Sequence, residues 1–327
     1  MSDSIGVYGA GAWGSALALT AARAGAKVIL CGRNAEEAET LNATRRSPHL
    51  PGAIFPAAVT ARADPASLAG IDLLLLATPA QACRSAAAAL AGVVGLETVI
   101  VSCAKGIEQT TGARPSQAIA AALPGRRVAV LSGPGFADDV ARGLPTAVTV
   151  AADDAVLADA IARRLAGPTF RPYAATDVAG VELGGALKNV LAIAAGIVFG
   201  RALGASAQAA VITRGFVEMR RLAAAFGAEA ETLMGLSGFG DLMLTCSSVQ
   251  SRNYSFGLGI GRGEPTASFG KLAEGAATVG IAVQKATEFS VEVPIMAAVA
   301  EVLAGCLSVD EAIDRLMARP LKRENVI

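Results

Sequence analysis

The pattern of apolar and polar positions changes character near the middle of the chain. In the first half, short apolar runs recur at Ile5–Tyr8, Lys27–Cys31, Leu73–Ala77, Thr98–Ser102, Val128–Ser132 and Thr146–Val150. Runs this short, bounded by glycine or polar residues, predict buried strands. Longer alanine-rich stretches lie between them, such as Ala12–Ala24 and Pro79–Ala91, and predict helices. Strands alternating with helices in this way predict βαβ units and a doubly wound α/β fold built on a parallel sheet.

After Asp177 the strand signal stops. From Val178 to Arg319 the pattern is helical, broken at glycine clusters and at Pro265 and Pro294. The stretch TFRPYAATD supplies a proline and a candidate helix cap, Asp177, at the change. The expected organisation is a Rossmann-type dinucleotide-binding domain over residues 1–177 and an all-α substrate and catalytic domain over residues 178–327.

Composition raises one competing class. Hydrophobic residues make up 53%, charged residues 17%, and mean hydropathy is +0.50. A membrane-spanning helix needs about 20 apolar residues in a row. Here the long apolar stretches are cut by charges, by Asp72 and Arg84 in one case and by Lys188 and Arg201 in another. A soluble protein with a small-residue core is expected, without membrane insertion. Lys+Arg and Asp+Glu balance at 28 each, so no net field draws nucleic acid or anionic lipid. Five cysteines without metal spacing read as reduced core residues, and MSDSIGVYG has no basic-then-apolar leader. Both point to a cytoplasmic protein that binds no metal. The single histidine, His49 in SPHLPG, reads as a surface-loop residue, so acid–base chemistry must fall to another side chain.

The first candidate site follows the first strand. IGVYGAGAWGSALA sets Gly9, Gly11 and Gly14 in GxGxxG spacing, between a strand and a helix. Gly9 permits the tight turn, Gly11 lets the backbone approach a pyrophosphate, and Gly14 lets helix and strand pack closely. At the end of the second strand, VILCGRN offers Arg33 where an NAD-specific site would carry Asp or Glu. An arginine there suits the 2′-phosphate of NADP(H), with NAD(H) as the alternative cofactor; the plainer reading is a solvated loop arginine. Later strands end at VSCAKGIE and LSGPGFADDV, which brings Lys105, Gly133, Gly135 and Ala137 to the edge where ligands of open α/β sheets bind.

The helical half carries the second. GGALKNVLAIAAG reads as a buried helix with one charge, Lys188. Its neighbours one turn away are Gly184, Gly185, Leu191 and Ala192, mostly small, which leaves room beside the ammonium. A buried lysine needs a partner. Asp241, in the glycine-rich GLSGFGDLMLT, is an equally isolated charge and the expected one. That pairing is either purely structural or the setting of a general acid/base. Ser251, Arg252 and Asn253 in QSRNYSFG combine a hydroxyl, a guanidinium and an amide, a group matched to a phosphate or carboxylate. Glu274, in KLAEGAATVG, is a further candidate cofactor contact beside its reading as an exposed helix glutamate.

Taken in order, these segments resemble the bacterial NAD(P)-dependent glycerol-3-phosphate dehydrogenases over nearly the whole chain, most specifically in GGALKN, GDLMLTC and SRN. The resemblance implies reversible reduction of dihydroxyacetone phosphate to sn-glycerol 3-phosphate, feeding phospholipid synthesis, and a homodimer. It implies Lys188 as proton donor and acceptor, supported by Asp241. It further implies substrate contacts at Lys105, Gly133, Gly135, Lys188, Asp241, Ser251, Arg252 and Asn253. Cofactor contacts would fall at Ala12, Trp13, Arg33, Lys105, Ala137, Arg252, Leu272 and Glu274, beside the glycine turn. Gly135 departs from the family's usual hydroxyl residue, and EGAATVG lacks the aromatic or polar residue that often follows its EG.

Two rivals share parts of this pattern. Ketopantoate reductases and β-hydroxyacid dehydrogenases also join a Rossmann domain to a helical one carrying a lysine. Their lysine is typically followed by an asparagine one helical turn later, whereas Asn189 is adjacent here. A non-catalytic NADPH sensor would not require the lysine and aspartate that this chain retains.

Overall fold

A computed structural model of the protein describes residues 4–265, 273–321 and 323. They form two compact units, Met1–Lys105 with Ala113–Glu182, and Gly106–Gly112 with Leu183–Ile327.

The first unit holds an eight-stranded sheet: β1 (Ser4–Tyr8), β2 (Lys27–Cys31), β3 (Val59–Arg62), β4 (Leu73–Leu76), β5 (Val99–Ser102), β6 (Val128–Ser132), β7 (Thr146–Ala151) and β8 (Phe170–Ala175). Their order is β3-β2-β1-β4-β5-β6-β7-β8. Every pairing is parallel except β6 with β7. Six helices accompany it: α1 (Ala12–Arg23), α2 (Ala35–Thr44), α3 (Cys83–Ala89), α4 (Pro115–Ala122), α5 (Ala137–Ala141) and α6 (Ala155–Leu165). The continuous run Leu73–Leu76 needs no alternation because both sheet faces are covered. Leu73 and Leu75 join one core layer with Val99 and Val101, while Leu74 and Leu76 join the other with Ile100.

Two strands escape the sequence pattern. VTAR of β3 is too short to show a period. FRPYAA of β8 contains Pro172, which argues against an interior strand but is tolerated at the sheet edge where β8 lies.

A 23-residue helix, α7 (Val178–Gly200), starts where Asp177 Oδ1 accepts the Gly180 N–H at 2.7 Å. It is long and apolar enough to cross a membrane, yet 89% of its most apolar window is buried within the protein. The second unit continues with α8 (Ala205–Ala225), α9 (Ala230–Met234), α10 (Asp241–Cys246), α11 (Arg252–Gly261), α12 (Glu274–Glu288), α13 (Pro294–Leu303) and α14 (Val309–Met317).

Helices α7 and α11 meet backbone to backbone. A Cβ on Gly196 would overlap the Tyr254 carbonyl oxygen, and one on Gly257 would overlap that of Ile193. Only glycine permits this approach, which replaces side-chain volume by close main-chain contact. Gly196→Ala should therefore destabilise the protein by about 1–3 kcal/mol, overriding alanine's better helix propensity of about 1 kcal/mol. Gly280 on α12 is exposed with open space where a Cβ would stand, so Gly280→Ala should instead stabilise by up to about 1 kcal/mol. Urea unfolding of the two variants against wild type reads the opposed signs.

Glu218 of α8 is buried and closes the start of α13, accepting the Ile295 N–H at 2.8 Å and the Met296 N–H at 3.1 Å. Burial pushes its carboxyl up from 4.5 to about 7, against the pull of those two amides and of Arg319 and Arg214. The native state thus holds this proton more tightly than the unfolded chain. The resulting stability is complete below the unfolded value and is lost as pH rises through about 7. At 1.36 kcal/mol per pH unit the loss amounts to about 3 kcal/mol at most. Urea unfolding between pH 5 and pH 8 should show this decline, and Glu218→Gln should flatten it.

Candidate active site

In the first unit, the glycine turn is built by contacts that exclude side chains. Gly9 has φ +112° and donates its N–H to the Cys31 carbonyl at 2.8 Å. A Cβ on Gly14 would overlap the Gly9 carbonyl oxygen, so the first turn of α1 sits directly on the end of β1. Gly11 occupies the cap position of α1 without any side-chain hydrogen bond, and nothing lies within 4 Å of where its Cβ would stand. The start of α1 at Gly11 therefore borders clear space, with the positive end of the helix behind it. Trp13 adds a buried indole N–H that has no partner among the described residues. A helix start with open space at its cap fits the pyrophosphate of a dinucleotide.

The other candidates of this unit gather nearby. Lys105, just beyond β5, donates from Nζ to the Gly133 carbonyl at 2.9 Å and lies 6.0 Å from the centre of the Trp13 ring. Gly133 has φ +149°, and a Cβ there would come within 2.8 Å of Val148 Cα. At Gly135 a Cβ would stand 3.4 Å from Thr146 and 3.6 Å from Trp13, ordinary contact distances, so the turn admits a side chain that this sequence does not use. Ala137 opens α5. Arg33 is exposed beyond β2, while its neighbour Asn34 is occupied in capping α2 through Glu36 N and Glu37 N. The Tyr8 phenol is held above its ordinary range by burial and by Cys31, against the charge of Arg33. His49 pairs with Glu37 at 3.1 Å on the surface.

In the second unit, the isolated lysine has found its partner. Lys188 Nζ donates to Asp241 Oδ1 at 2.8 Å and to Thr245 Oγ1 at 2.6 Å. Lys188 is 6% exposed and Asp241 1%, so each charge depends on the other. Local sequence explains how they meet. Leu236–Gly240 form one π turn, closed by Gly240 N–H to the Gly235 carbonyl at 3.1 Å, which leads straight into α10 with Asp241 at its start. That turn rests on α7 at Gly184, where a Cβ would come within 2.6 Å of the Ser237 carbonyl oxygen. Gly184 lies one helical turn before Lys188, so the contact delivers Asp241 to the lysine. Thr245 completes the group by donating to the Asp241 carbonyl at 2.6 Å, which leaves its oxygen lone pairs to the lysine. A positive ammonium held this way can release a proton, and the amine that remains can take one up.

Ser251 caps α11, accepting the Tyr254 N–H at 3.2 Å, and Arg252 follows as the first, exposed residue of that helix. Asn253 is buried, with its amide bonded to Asn189 Oδ1 at 3.0 Å and to Gly275 N at 2.9 Å. Glu274 is the first residue of α12. Leu272 lies outside the described residues. Among the described residues no group of His, Cys, Asp and Glu is placed to hold a metal. Sequence reasoning passed over Thr245 and Asn189. The signal for Thr245 was its position four residues after Asp241 on one helix, which puts both on one face.

Comparison with known proteins covers both parts of the chain. Residues 4–158 match the family described as NAD-dependent glycerol-3-phosphate dehydrogenase N-terminus, and residues 177–314 match its C-terminus. A glycerol-3-phosphate dehydrogenase (NAD(P)+) of Bradyrhizobium sp. strain ORS 278 is 54% identical over 322 residues, covering 98% of each chain. One from Brucella suis biovar 1 is 53% identical over 327 residues, covering 99% of this chain and 100% of that one. The crystal structure of glycerol-3-phosphate dehydrogenase from Coxiella burnetii superposes with a TM-score of 0.92 at 37% identity, covering 97% of this chain and 99% of that one. A ketopantoate reductase from Ralstonia eutropha shares the fold alone, at TM-score 0.62 and 19% identity. With both of its parts matched and relatives above half identity along nearly its full length, the chain belongs to the NAD-dependent glycerol-3-phosphate dehydrogenase family.

Proposed function

We infer that the protein catalyses the reversible reduction of dihydroxyacetone phosphate to sn-glycerol 3-phosphate. The observation that carries this reading is the buried Lys188–Asp241–Thr245 group in a chain with a dinucleotide turn. The division of labour follows the two parts of the sequence, with cofactor binding in residues 1–177 and the proton chemistry in 178–327. The amides of Gly11–Trp13 receive the cofactor pyrophosphate, Arg33 its 2′-phosphate, and Lys105, Ala137, Arg252, Leu272 and Glu274 add contacts. Arg252 and the cap of α11 at Ser251, with Lys105, Gly133, Gly135 and Asn253, receive the phosphate and hydroxyl groups of the substrate.

A nicotinamide cofactor, when bound, would supply the hydride that C2 of the substrate accepts. As that carbon becomes tetrahedral, its oxygen gathers negative charge, and Lys188 Nζ transfers a proton to it. In the opposite direction the neutral amine withdraws the hydroxyl proton. Asp241 holds the lysine in place and stabilises its charged form, while Thr245 orients the amine through a second bond. A positive charge beside the oxygen stabilises the developing alkoxide more than the carbonyl, which is the condition for rate acceleration. The protein is proposed to work in the cytoplasm as a homodimer, supplying phospholipid synthesis.

Purified protein with NADPH and dihydroxyacetone phosphate should lose nicotinamide absorbance, whereas unphosphorylated dihydroxyacetone should give little change. NADPH binding without oxidation of either mixture would overturn the reading. Lys188→Ala should lower kcat by about 10²–10⁴-fold with NADPH affinity retained. Because it removes the ammonium from beside the buried Asp241 carboxylate, that variant should lose about 3–5 kcal/mol of stability. Lys188→Ala combined with Asp241→Ala should recover part of that loss and none of the activity, as melting curves and steady-state kinetics would reveal. Arg33→Glu should weaken NADPH binding about 10–100-fold and leave NADH nearly unaffected; equal losses for both would remove the arginine from cofactor selection.

A further inference from the structure

The carboxyl ends of β1, β2 and β3 lie side by side in the first unit. Tyr8 pairs with Cys31, and Cys31 with Arg62, in the parallel register of the three strands. Beyond the last pair, the Gly32 N–H still donates to the Arg62 carbonyl at 2.9 Å. Arg33 follows Gly32, so two arginines leave neighbouring strand ends almost level with each other. Both are exposed, and their long side chains can meet on one ligand.

Neither charge is answered within the protein. Arg62 Nη1 donates to the carbonyl of Ala61 at 3.2 Å, and among the described residues neither arginine forms an ion pair. The acids of this edge are engaged elsewhere. Asp64 caps the short 3₁₀ turn Pro65–Leu68, accepting the Ala66 N–H at 2.9 Å. Glu37 bonds to Asn34 Nδ2 at 3.2 Å and to His49 at 3.1 Å. Glu36, on the first turn of α2, is exposed and pairs with neither arginine. Cys31 adds no charge, since burial pushes its thiol up to about 11. The start of α2 has no amides to spare either, because Asn34 Oδ1 accepts the N–H groups of Glu36 at 3.0 Å and Glu37 at 3.3 Å. An anion arriving here must therefore be held by side chains. Two neighbouring guanidiniums repel each other, and a phosphate shared between them turns that repulsion into attraction for both.

We propose that Arg62 is a second specificity-determining arginine, which grips the 2′-phosphate of the cofactor's adenosine together with Arg33. This rests on the reading of Arg33 as the 2′-phosphate contact. It extends that reading to β3, a strand outside the glycine turn and the end of β2 where dinucleotide specificity is ordinarily read. Two guanidinium forks meet more of the phosphate oxygens than one, so preference for NADP(H) over NAD(H) has two separable sources.

The test uses the full-length protein and adenosine fragments that carry no nicotinamide. Adenosine 2′,5′-bisphosphate, adenosine 3′,5′-bisphosphate and AMP are each titrated by calorimetry. Wild type should bind the 2′,5′-bisphosphate about 100-fold more tightly than AMP. Arg62→Ala and Arg33→Ala should each lower that ratio to about 10, and the double variant to about 1, with AMP affinity retained throughout. Arg62→Lys should fall between wild type and Arg62→Ala, since an ammonium keeps the charge without the fork. Affinity for the 3′,5′-bisphosphate should change little in any variant. An unchanged ratio in Arg62→Ala would overturn the proposal. So would equal losses for AMP and the 2′,5′-bisphosphate, which indicate a structural role, or equal losses for the two bisphosphates, which indicate an unspecific field. A wild type that binds the 2′,5′-bisphosphate no better than AMP would remove the role of Arg33 along with that of Arg62. Oxidation of NADPH or NADH with dihydroxyacetone phosphate decides the reaction separately, so failure of that assignment is distinct from failure here.

Discussion

A charge removed from water must be answered, and much of the second unit is arranged to answer Lys188. Its ammonium lies inside a helix otherwise made of glycine, alanine and aliphatic residues, where an unpaired charge would cost several kcal/mol. The answer comes from a segment about fifty residues further on, and it arrives only because the π turn can rest on α7 at Gly184 without an intervening side chain. The pairing, the glycine contact and the abrupt entry into α10 are one arrangement. Replacing the ion pair by apolar residues of similar size is often neutral or favourable for stability in other proteins.

The first unit solves a different problem by the same means. It must present donors to an anion without spending a side chain on it, so the chain brings main-chain atoms to the surface of the turn and removes every Cβ that would block them. Glycine serves three separate purposes within six residues: a positive φ, an open approach and a close contact between helix and strand. The sheet then carries Lys105 and Gly133 to the same edge through strands β5 and β6, and the two are joined by a hydrogen bond.

Much of this was legible from residue order. Strands β1, β2, β4, β5, β6 and β7 announced themselves as short apolar runs, and the pairing of Lys188 with Asp241 followed from two lone charges in apolar surroundings. What stayed hidden has a common physical character. Strand β3 is set by its neighbour β2 rather than by its own composition, and β8 tolerates a proline only because nothing pairs beyond it. The bonds of Thr245 to Lys188 and of Asn253 to Asn189 join residues far apart in the chain, and no local spacing encodes them. The reach of Gly275 back to Asn189 is likewise a property of helix packing, invisible until α7 and α12 are seen together.

The way the glycine turn is closed has a consequence for how the binding site can change. Its shape is enforced by main-chain contacts, with Gly14 against Gly9 and Gly9 against Ala77, and not by rotamers that a ligand must freeze. Under the proposed function a pyrophosphate would meet amides already aimed, with little ordering entropy left to lose. Under the proposed function, selectivity between phosphorylated and unphosphorylated ribose rests elsewhere, on the solvent-exposed Arg33 beyond β2. Anchoring and discrimination are thus built from separable parts of the chain, and one can drift while the other is held fixed.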